Sequence, residues 1–559
     1  MVLLPPITHE TDVLVIGGGA AGARAAIEAR DQGADVLLIN KGFLGRTGTT
    51  ASTWGSIAGS IHPPDDPAIF LQDMLECGQH INDKGIVRLF IEEIRKGHVM
   101  DLQNFGVAFD RDQQNQVKVL KMGGHSFPRM VMATWLNAPT ILRNGLIPRM
   151  MKNGVNVVDR YVVTKILLDE NGISGAMGVN LKTGKVEICR SKAIVLATGN
   201  AGQLFGESAG LSATGDGYSL AYRAGARLRD MEFITCSLGL AHPPALRGKV
   251  LGEPVVLRKS DGTSPELYNA KREFFMERYF PNATQGYTKN MYMVAISKEV
   301  QMGCGSPHEG VFVDFSDLDP TGPFFPFLKQ IMDSMDIDIV KGGSLEYTIV
   351  PFYFPGGVEF NEKHESATKG LFVAGEVSGG LHGAERLAGT AMAEAIVFGK
   401  RAGHFAAQFA RQRERSTINW AEAAEEEKRL YHMLDQEGSN PPREVRRKIQ
   451  EVMWEKVGFI RSEDNLSSAE KNFEEIGSVD LGQVGIPSKN PKGNLDWLES
   501  IENGFLLDVA EMVAGACRTR EESRGSHFRE DFAKSSDRWL KKIVISRDQD
   551  EMRFSVENV

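Results

Sequence analysis

Cysteine is scarce in this chain: Cys77, Cys189, Cys236, Cys304 and Cys517 are the only five in 559 residues, and no two are close enough to form a CxxC pair. That spacing excludes an iron–sulfur cluster or zinc ribbon built from local motifs, and an odd count does not suit a disulfide framework. No apolar run reaches about 18 residues, so the chain is not expected to span a membrane by itself. The opening MVLLPPITHETD has no basic region, no long apolar stretch and no twin arginine, so no export signal is expected and a cytoplasmic, reduced protein is the default. Basic charge is not in surplus either. The balance of 64 Lys and Arg against 73 Asp and Glu gives −9, which argues against a nucleic-acid partner. The twelve histidines contain no HExxH and no close pair, so no metal site is expected. Internal repeats and low-complexity tracts are also missing.

Glycine, by contrast, is abundant at 59 residues, well above the usual share of about 7%, which signals tight turns and close backbone approach to a ligand. The 42% hydrophobic and 25% charged fractions are those of an ordinary globular protein, and the length suggests roughly three or four units. The first informative segment is DVLVIGGGAAGARAAIEA, Asp12 to Ala29. An apolar run bounded by Gly reads as a buried strand, and the Ala-rich stretch after it as a helix. Gly17, Gly19 and Gly22 form GxGxxG between them: the first allows the tight turn, the second lets backbone reach a pyrophosphate, and the third lets helix pack on strand. A second strand follows at Asp35 to Asn40. The acid that usually receives the ribose at its end is replaced by Asn40, followed by Lys41; an Asn amide can still bond a ribose hydroxyl. Two later strands end in glycine turns, KAIVLATGN at Lys192 to Asn200 and GLFVAGE at Gly370 to Glu376, and Arg386 to Gly403 reads as a helix entered through a Gly-rich loop. Such a helix would point a positive dipole and free N–H groups at the anionic ring of a reduced flavin. Three separated elements converging on one cofactor favour FAD over NAD.

With these motifs the chain resembles the flavoprotein subunits of succinate dehydrogenase and fumarate reductase, a family that includes L-aspartate oxidase and, more distantly, the adenylylsulfate reductase alpha subunit. The matching stretches are SATGDGYSLAYRAGARLRDMEF (Ser212 to Phe233), FFMERYFPNA (Phe274 to Ala283), LFVAGEVSGGLHGAERLAGTAMAEAIVFGKRAG (Leu371 to Gly403), IQEVMWEKVGFIRSEDNL (Ile449 to Leu466) and REESRGSHFREDF (Arg520 to Phe532). They run in family order almost to the C-terminus. The resemblance implies an α/β fold: a Rossmann-like FAD-binding domain, an inserted α+β capping domain and a C-terminal helical domain. In this chain the boundaries fall at 1–235 and 348–404 for the two parts of the FAD-binding domain, 236–347 for the cap and 405–559 for the helical and C-terminal domain. Composition agrees, since the 236–347 segment is rich in Pro, Gly and aromatics and the stretch from His404 onward is charged and helix-periodic. Runs such as Glu425 to Glu427 followed by Lys428 and Arg429 read as solvated helix faces.

By the same resemblance, FAD contacts fall on Gly17, Gly19, Gly22, Asn40, Lys41, Thr47, Gly48, Thr49, Thr50, Ala197, Thr198, Gly199, Asp216, Glu376, Arg386, Ala391 and Met392. The histidine that carries covalent flavin in the respiratory members aligns with Thr49 in GRTGTTASTWGS, so the FAD is expected to be non-covalent. The arginine that clamps a dicarboxylate aligns with Arg386, whose planar guanidinium grips a carboxylate through two parallel bonds. The proton-delivering arginine aligns with Lys289, which can relay protons if burial lowers its pKa, although an exposed surface lysine is an equal reading. Other positions depart from the family. The histidine of its FHP motif aligns with Ser237, leaving His242 in LAHPPA to fill that space. The second substrate histidine aligns with Phe352, beside Tyr353. The proton-feeding acidic segment has become LRKSDGTSP, with Arg258 where the acid would be. Together Phe352, Tyr353, Trp135 and Arg258 imply a larger or more aromatic substrate than fumarate, with His125 and Arg129 as further anion-binding or structural candidates.

Two motif matches are set aside. GESAG around Ser208 matches GxSxG but lacks the strand directly before and helix directly after that the hydrolase elbow needs. Asn282-Ala283-Thr284 is a glycosylation sequon only in an exported chain. The expected function is hydride transfer between flavin N5 and a carbon–carbon double bond activated by a carboxyl group, on an anionic small molecule. An iron–sulfur partner subunit would carry electrons and supply any membrane association. An L-aspartate-oxidase-like flavin oxidase and a non-catalytic FAD electron-transfer subunit remain alternatives.

Overall fold

The computed structural model describes all residues except 1–5, 54, 60–61, 134–136, 207–211, 251–256, 282, 284–286, 323–324, 334–335, 340–342 and 550, together with the side chains of 327 and 331. Trp135, Ser208, Asn282 and Thr284 therefore lie outside the described residues.

The first strand, Ile7–Ile16, lies between Val36–Asn40 and Lys185–Leu196 in a seven-stranded sheet, parallel to both. Asn156–Asp159 extends one edge in parallel and Leu371–Val373 pairs in parallel with the C-terminal half of Lys185–Leu196. The antiparallel strands Gly172–Asn180 and Tyr161–Asp169 complete the sheet on the other half. Central strands covered on both faces need near-continuous apolar runs, and Val13 to Ile16, Val36 to Ile39 and Ala193 to Leu196 are all buried. The expected Gly-rich helix entry is present, but the helix proper is Thr390–Arg411. Gly389 before it has φ +73°, and a Cβ there would lie 1.9 Å from Met130 Cε. The helix outruns the expected end at Gly403 because its apolar stripe continues through Ala406, Ala407 and Ala410. It crosses the first helix, Ala20–Asp31, closely: a Cβ on Gly403 would stand 2.2 Å from the Ala25 carbonyl oxygen.

An antiparallel sheet in the order Thr235–Leu240, Ser344–Tyr353, Val311–Asp314 and Leu267–Tyr268 spans the segment expected as the cap, 236–347, with Ser344–Tyr353 running past its expected end. Thr288 caps the helix Lys289–Gln301 by accepting from the Met291 N–H at 3.3 Å. The C-terminal part is built on Trp420–Asp435, Pro442–Val452, Glu463–Glu475 and the long helix Leu495–Thr519. It ends differently from a purely helical reading. Lys541–Asp548 and Glu551–Asn558 form a β-hairpin, and the former pairs with Leu228–Arg229 near the start of the chain's second third. No described helix is long and apolar enough to cross a membrane.

Candidate functional site

A cavity of about 790 Å³ opens at the C-terminal ends of the parallel strands, where open α/β sheets bind ligands. Its floor is the glycine turn. A Cβ on Gly17 would sit 2.2 Å from the Ala197 carbonyl oxygen and one on Gly22 1.8 Å from that of Gly17, so the turn tolerates no side chain at either position. Of the expected cofactor residues, all but Gly22 line the cavity; Gly22 lies beneath it, seating helix on strand. The N-terminal turn of Thr390–Arg411 contributes Ala391 and Met392 to the wall. A cavity with a bare-backbone turn, a helix N-terminus and a strand-end glycine loop fits a dinucleotide.

The nucleotide end is more charged than expected. Asn40 Oδ1 accepts from the Gly18 N–H at 3.2 Å and its Nδ2 donates to Asp159 at 3.4 Å, which leaves one lone pair and one N–H for a ribose hydroxyl. Lys41 pairs with Asp216 at 2.9 Å and with Glu502 at 2.7 Å. Glu502 and its partner Arg446 also line the cavity, and nothing in their local sequence marks them as site residues.

At the opposite end stand the substrate candidates. The Arg386 guanidinium carbon lies 5.0 Å from the Tyr353 ring centroid and 5.4 Å from that of Phe352, while Lys289 Nζ lies 6.0 Å from the same Phe352 ring. Two cations thus flank one aromatic side chain in the cavity wall. One Arg386 nitrogen donates to the Leu387 carbonyl at 2.9 Å, and its buried Nε has no partner among the described residues. Tyr353 offers only its ring, since its hydroxyl donates to the fully buried Glu394, which also accepts from Ser378 at 3.3 Å and pairs with His382 at 3.1 Å. Burial, with Glu394 and Glu376 nearby, drives the Tyr353 hydroxyl well above its ordinary pKa.

Other candidates stand elsewhere. His242 is exposed on the cap and stacks on His308 with centroids 4.6 Å apart. Arg258 is exposed too, donating to the Leu257 carbonyl at 2.7 Å and to Ser264 at 3.2 Å. Neither lines the cavity, because the strand Thr235–Leu240 brings Ser237 to the wall and ends before His242. Arg129 is fully buried and committed to Asp65 through two 2.6 Å bonds and to Asp73; it donates to His125 Nδ1 at 3.1 Å, leaving Nε2–H of His125 to donate to Ala388. That pair is structural.

Sequence reasoning had no signal for Cys77, which reaches the substrate end from the helix Pro67–Cys77. Burial, aided by Glu385, pushes its thiol up to about 12 against the pull of Arg386 and Lys289, so it stays protonated. The REESRGSHFREDF stretch holds this end together. Arg524 donates to the Gln79 carbonyl at 3.2 Å, Gly525 N–H to the Gln79 side chain at 3.0 Å, Asn290 to the Gly525 carbonyl at 2.8 Å and Ser526 to the Ala384 carbonyl at 3.0 Å. One loop therefore ties down the neighbours of Cys77, Lys289 and Arg386.

Between the two ends, burial pushes the Glu376 carboxyl up to about 7 against hydrogen bonds from Asn200 and the Phe354 N–H, with Glu394 adding to the rise. The folded chain keeps this proton where the unfolded chain has lost it, so the folded state binds more protons between about 4.5 and about 7 and stability falls as pH rises through that window. The full penalty is roughly 3 kcal/mol. Denaturant titrations of FAD-free protein at about pH 5 and about pH 8 should show a smaller decline for Glu376→Gln than for the wild type; equal declines would remove Glu376 as the cause.

The chain matches the family described as FAD binding domain over residues 12–392 and the family described as fumarate reductase flavoprotein C-term over 446–559. It is 32% identical over 552 residues to one subunit of the fumarate reductase (CoM/CoB) of Methanothermobacter marburgensis, covering 96% of this chain and 97% of that one. A solved quinol fumarate reductase chain from E. coli, a single-residue variant, superposes with a TM-score of 0.89 at 27% identity, covering 99% of this chain and 97% of the other. Adenylylsulfate reductase from Archaeoglobus fulgidus shares the fold, with a TM-score of 0.76 at 20% identity over 100% and 97% of the two chains.

Proposed function

Because the chain belongs to the flavoprotein family of fumarate reductase and succinate dehydrogenase, and is an FAD-dependent oxidoreductase, we propose that it reduces or forms a carbon–carbon double bond next to a carboxylate, with Arg386 and Lys289 as its substrate residues. FAD, when bound, supplies the two-electron exchange at its N5. Arg386 grips the substrate carboxylate and stabilises charge that develops on it, a donor arrangement worth most in a dry site. Lys289 exchanges the proton at the neighbouring carbon. The observation that carries this reading is that both cations stand against Phe352 in the cavity lined by the cofactor loops. Phe352 where the family carries a histidine, with Tyr353 beside it, favours a substrate that is larger or more aromatic than fumarate.

Residues 236–347 act as the cap that excludes water, and the remaining boundaries follow the two-part FAD domain and the helical and C-terminal domain described above. A separate iron–sulfur subunit is the electron partner, and any membrane contact runs through such partners. The reading is tested on purified, anaerobically reduced protein with a panel of α,β-unsaturated carboxylates. Reoxidation of the flavin absorbance by at least one supports it; reduced flavin that passes electrons to a cluster protein but to none of the acids leaves only an electron carrier. Thr49 stands where a covalent link would need imidazole, so acid precipitation should release the flavin into the supernatant. Flavin retained in the pellet would overturn the non-covalent assignment.

A further inference from the structure

Strand Val36–Asn40 ends where a dinucleotide's ribose sits in this architecture, and ribose hydroxyls need an acceptor there. Asn40 Oδ1 already accepts from the Gly18 N–H and keeps one lone pair, but an ionised carboxylate is the stronger acceptor of a hydroxyl. Beyond Asn40 the side-chain carboxylates on this part of the wall are Asp216 and Glu502. Lys41 lies between them, and Arg446 holds the second Glu502 oxygen at 2.8 Å. Glu502 is only 8% exposed. Burial pushes its carboxyl up, but Lys41 and Arg446 outweigh that and keep it below the ordinary carboxylate range, so it is an anion. A buried ion pair adds little stability over an apolar pair of the same size, whereas one set on a cavity wall presents fixed charge to a ligand. Glu502 and Arg446 belong to the helices Leu495–Thr519 and Pro442–Val452, both beyond residue 392, where the match to the FAD binding domain ends.

We propose that Glu502 is a cofactor-binding residue: held by Lys41 and Arg446 and facing the same cation as Asp216, it accepts a hydroxyl of the FAD ribose, so that the C-terminal helices complete the nucleotide half of the site. The inference rests on the assignment of the cavity to FAD. It deepens that assignment by making cofactor retention depend on a part of the chain outside the dinucleotide fold.

The test compares FAD with FMN, which lacks the adenosine half, by flavin fluorescence on deflavinated full-length protein. Glu502→Ala should raise the FAD dissociation constant by about ten- to hundredfold while the FMN constant moves less than about threefold, with Glu502→Gln between wild type and Ala for FAD. An FAD constant within about threefold of wild type, or an equal loss for FAD and FMN, overturns the proposal. If the Ala variant does not fold, Glu502→Gln alone decides by the same FAD-to-FMN comparison. A wild-type protein that binds no FAD would overturn the cofactor assignment itself, a result distinct from wild-type binding with unaffected variants.

Discussion

Arg386→Ala lowers kcat/KM for the carboxylate substrate by roughly a hundredfold or more while FAD stays bound. A charge-assisted hydrogen bond contributes about 1.5 to 3 kcal/mol, and a guanidinium makes two in parallel to one carboxylate. FAD is expected to remain because the Gly17 to Gly22 turn, the expected seat of its pyrophosphate, is left unaltered. Arg386→Lys should not restore the rate. An ammonium cannot form the paired bonds, and it loses the broad contact that the planar guanidinium makes with Phe352 and Tyr353. The measurement is steady-state kinetics together with the flavin-to-protein absorbance ratio. Unchanged kcat/KM in the Ala variant would take Arg386 out of substrate binding.

Lys289→Met lowers kcat by about 10² to 10⁴, with substrate still perturbing the flavin spectrum. Methionine keeps the length and apolar stem of the side chain but carries no proton, so binding at Arg386 is retained and only the proton step is lost. The two variants are therefore distinguishable: Arg386→Ala affects binding and rate together, whereas Lys289→Met affects turnover with substrate in place. A Lys289→Met enzyme with normal turnover would show that the proton comes from another group. Tyr353 is a poor second candidate because its hydroxyl is committed to Glu394, and His242 and Arg258 stand outside the cavity. Cys77, a protonated thiol in the same cavity wall, would be the next to replace.

The parts that local pattern made legible are those whose physics is local. The glycines at positions 17 and 22 are dictated by close packing, since a Cβ on either would stand about 2 Å from a carbonyl oxygen; no other residue fits there, so the pattern survives in one dimension. Apolar runs such as Val13 to Ile16 announce buried parallel strands because both faces are covered. Arg386 and Lys289, placed from the surrounding motifs, both line the cavity. His242 was misplaced because proximity along the chain is not proximity in space: the strand carrying Ser237 ends before it, and the short segment after that strand turns onto the cap surface.

The sequence by itself determined the α/β FAD-binding fold and the cofactor class, because each depends on glycine turns, strand ends and motifs that are contiguous in the chain. Only the tertiary structure decided which remote groups share the cavity. Glu502 and Arg446 reach the nucleotide end on helices that carry no dinucleotide motif, and Cys77 reaches the substrate end on a helix near the N-terminus. The Arg524 to Ser526 loop clamps Gln79, Asn290 and Ala384 from the far end of the chain. Such contacts span hundreds of residues and are set by packing of whole elements, so no local pattern encodes them.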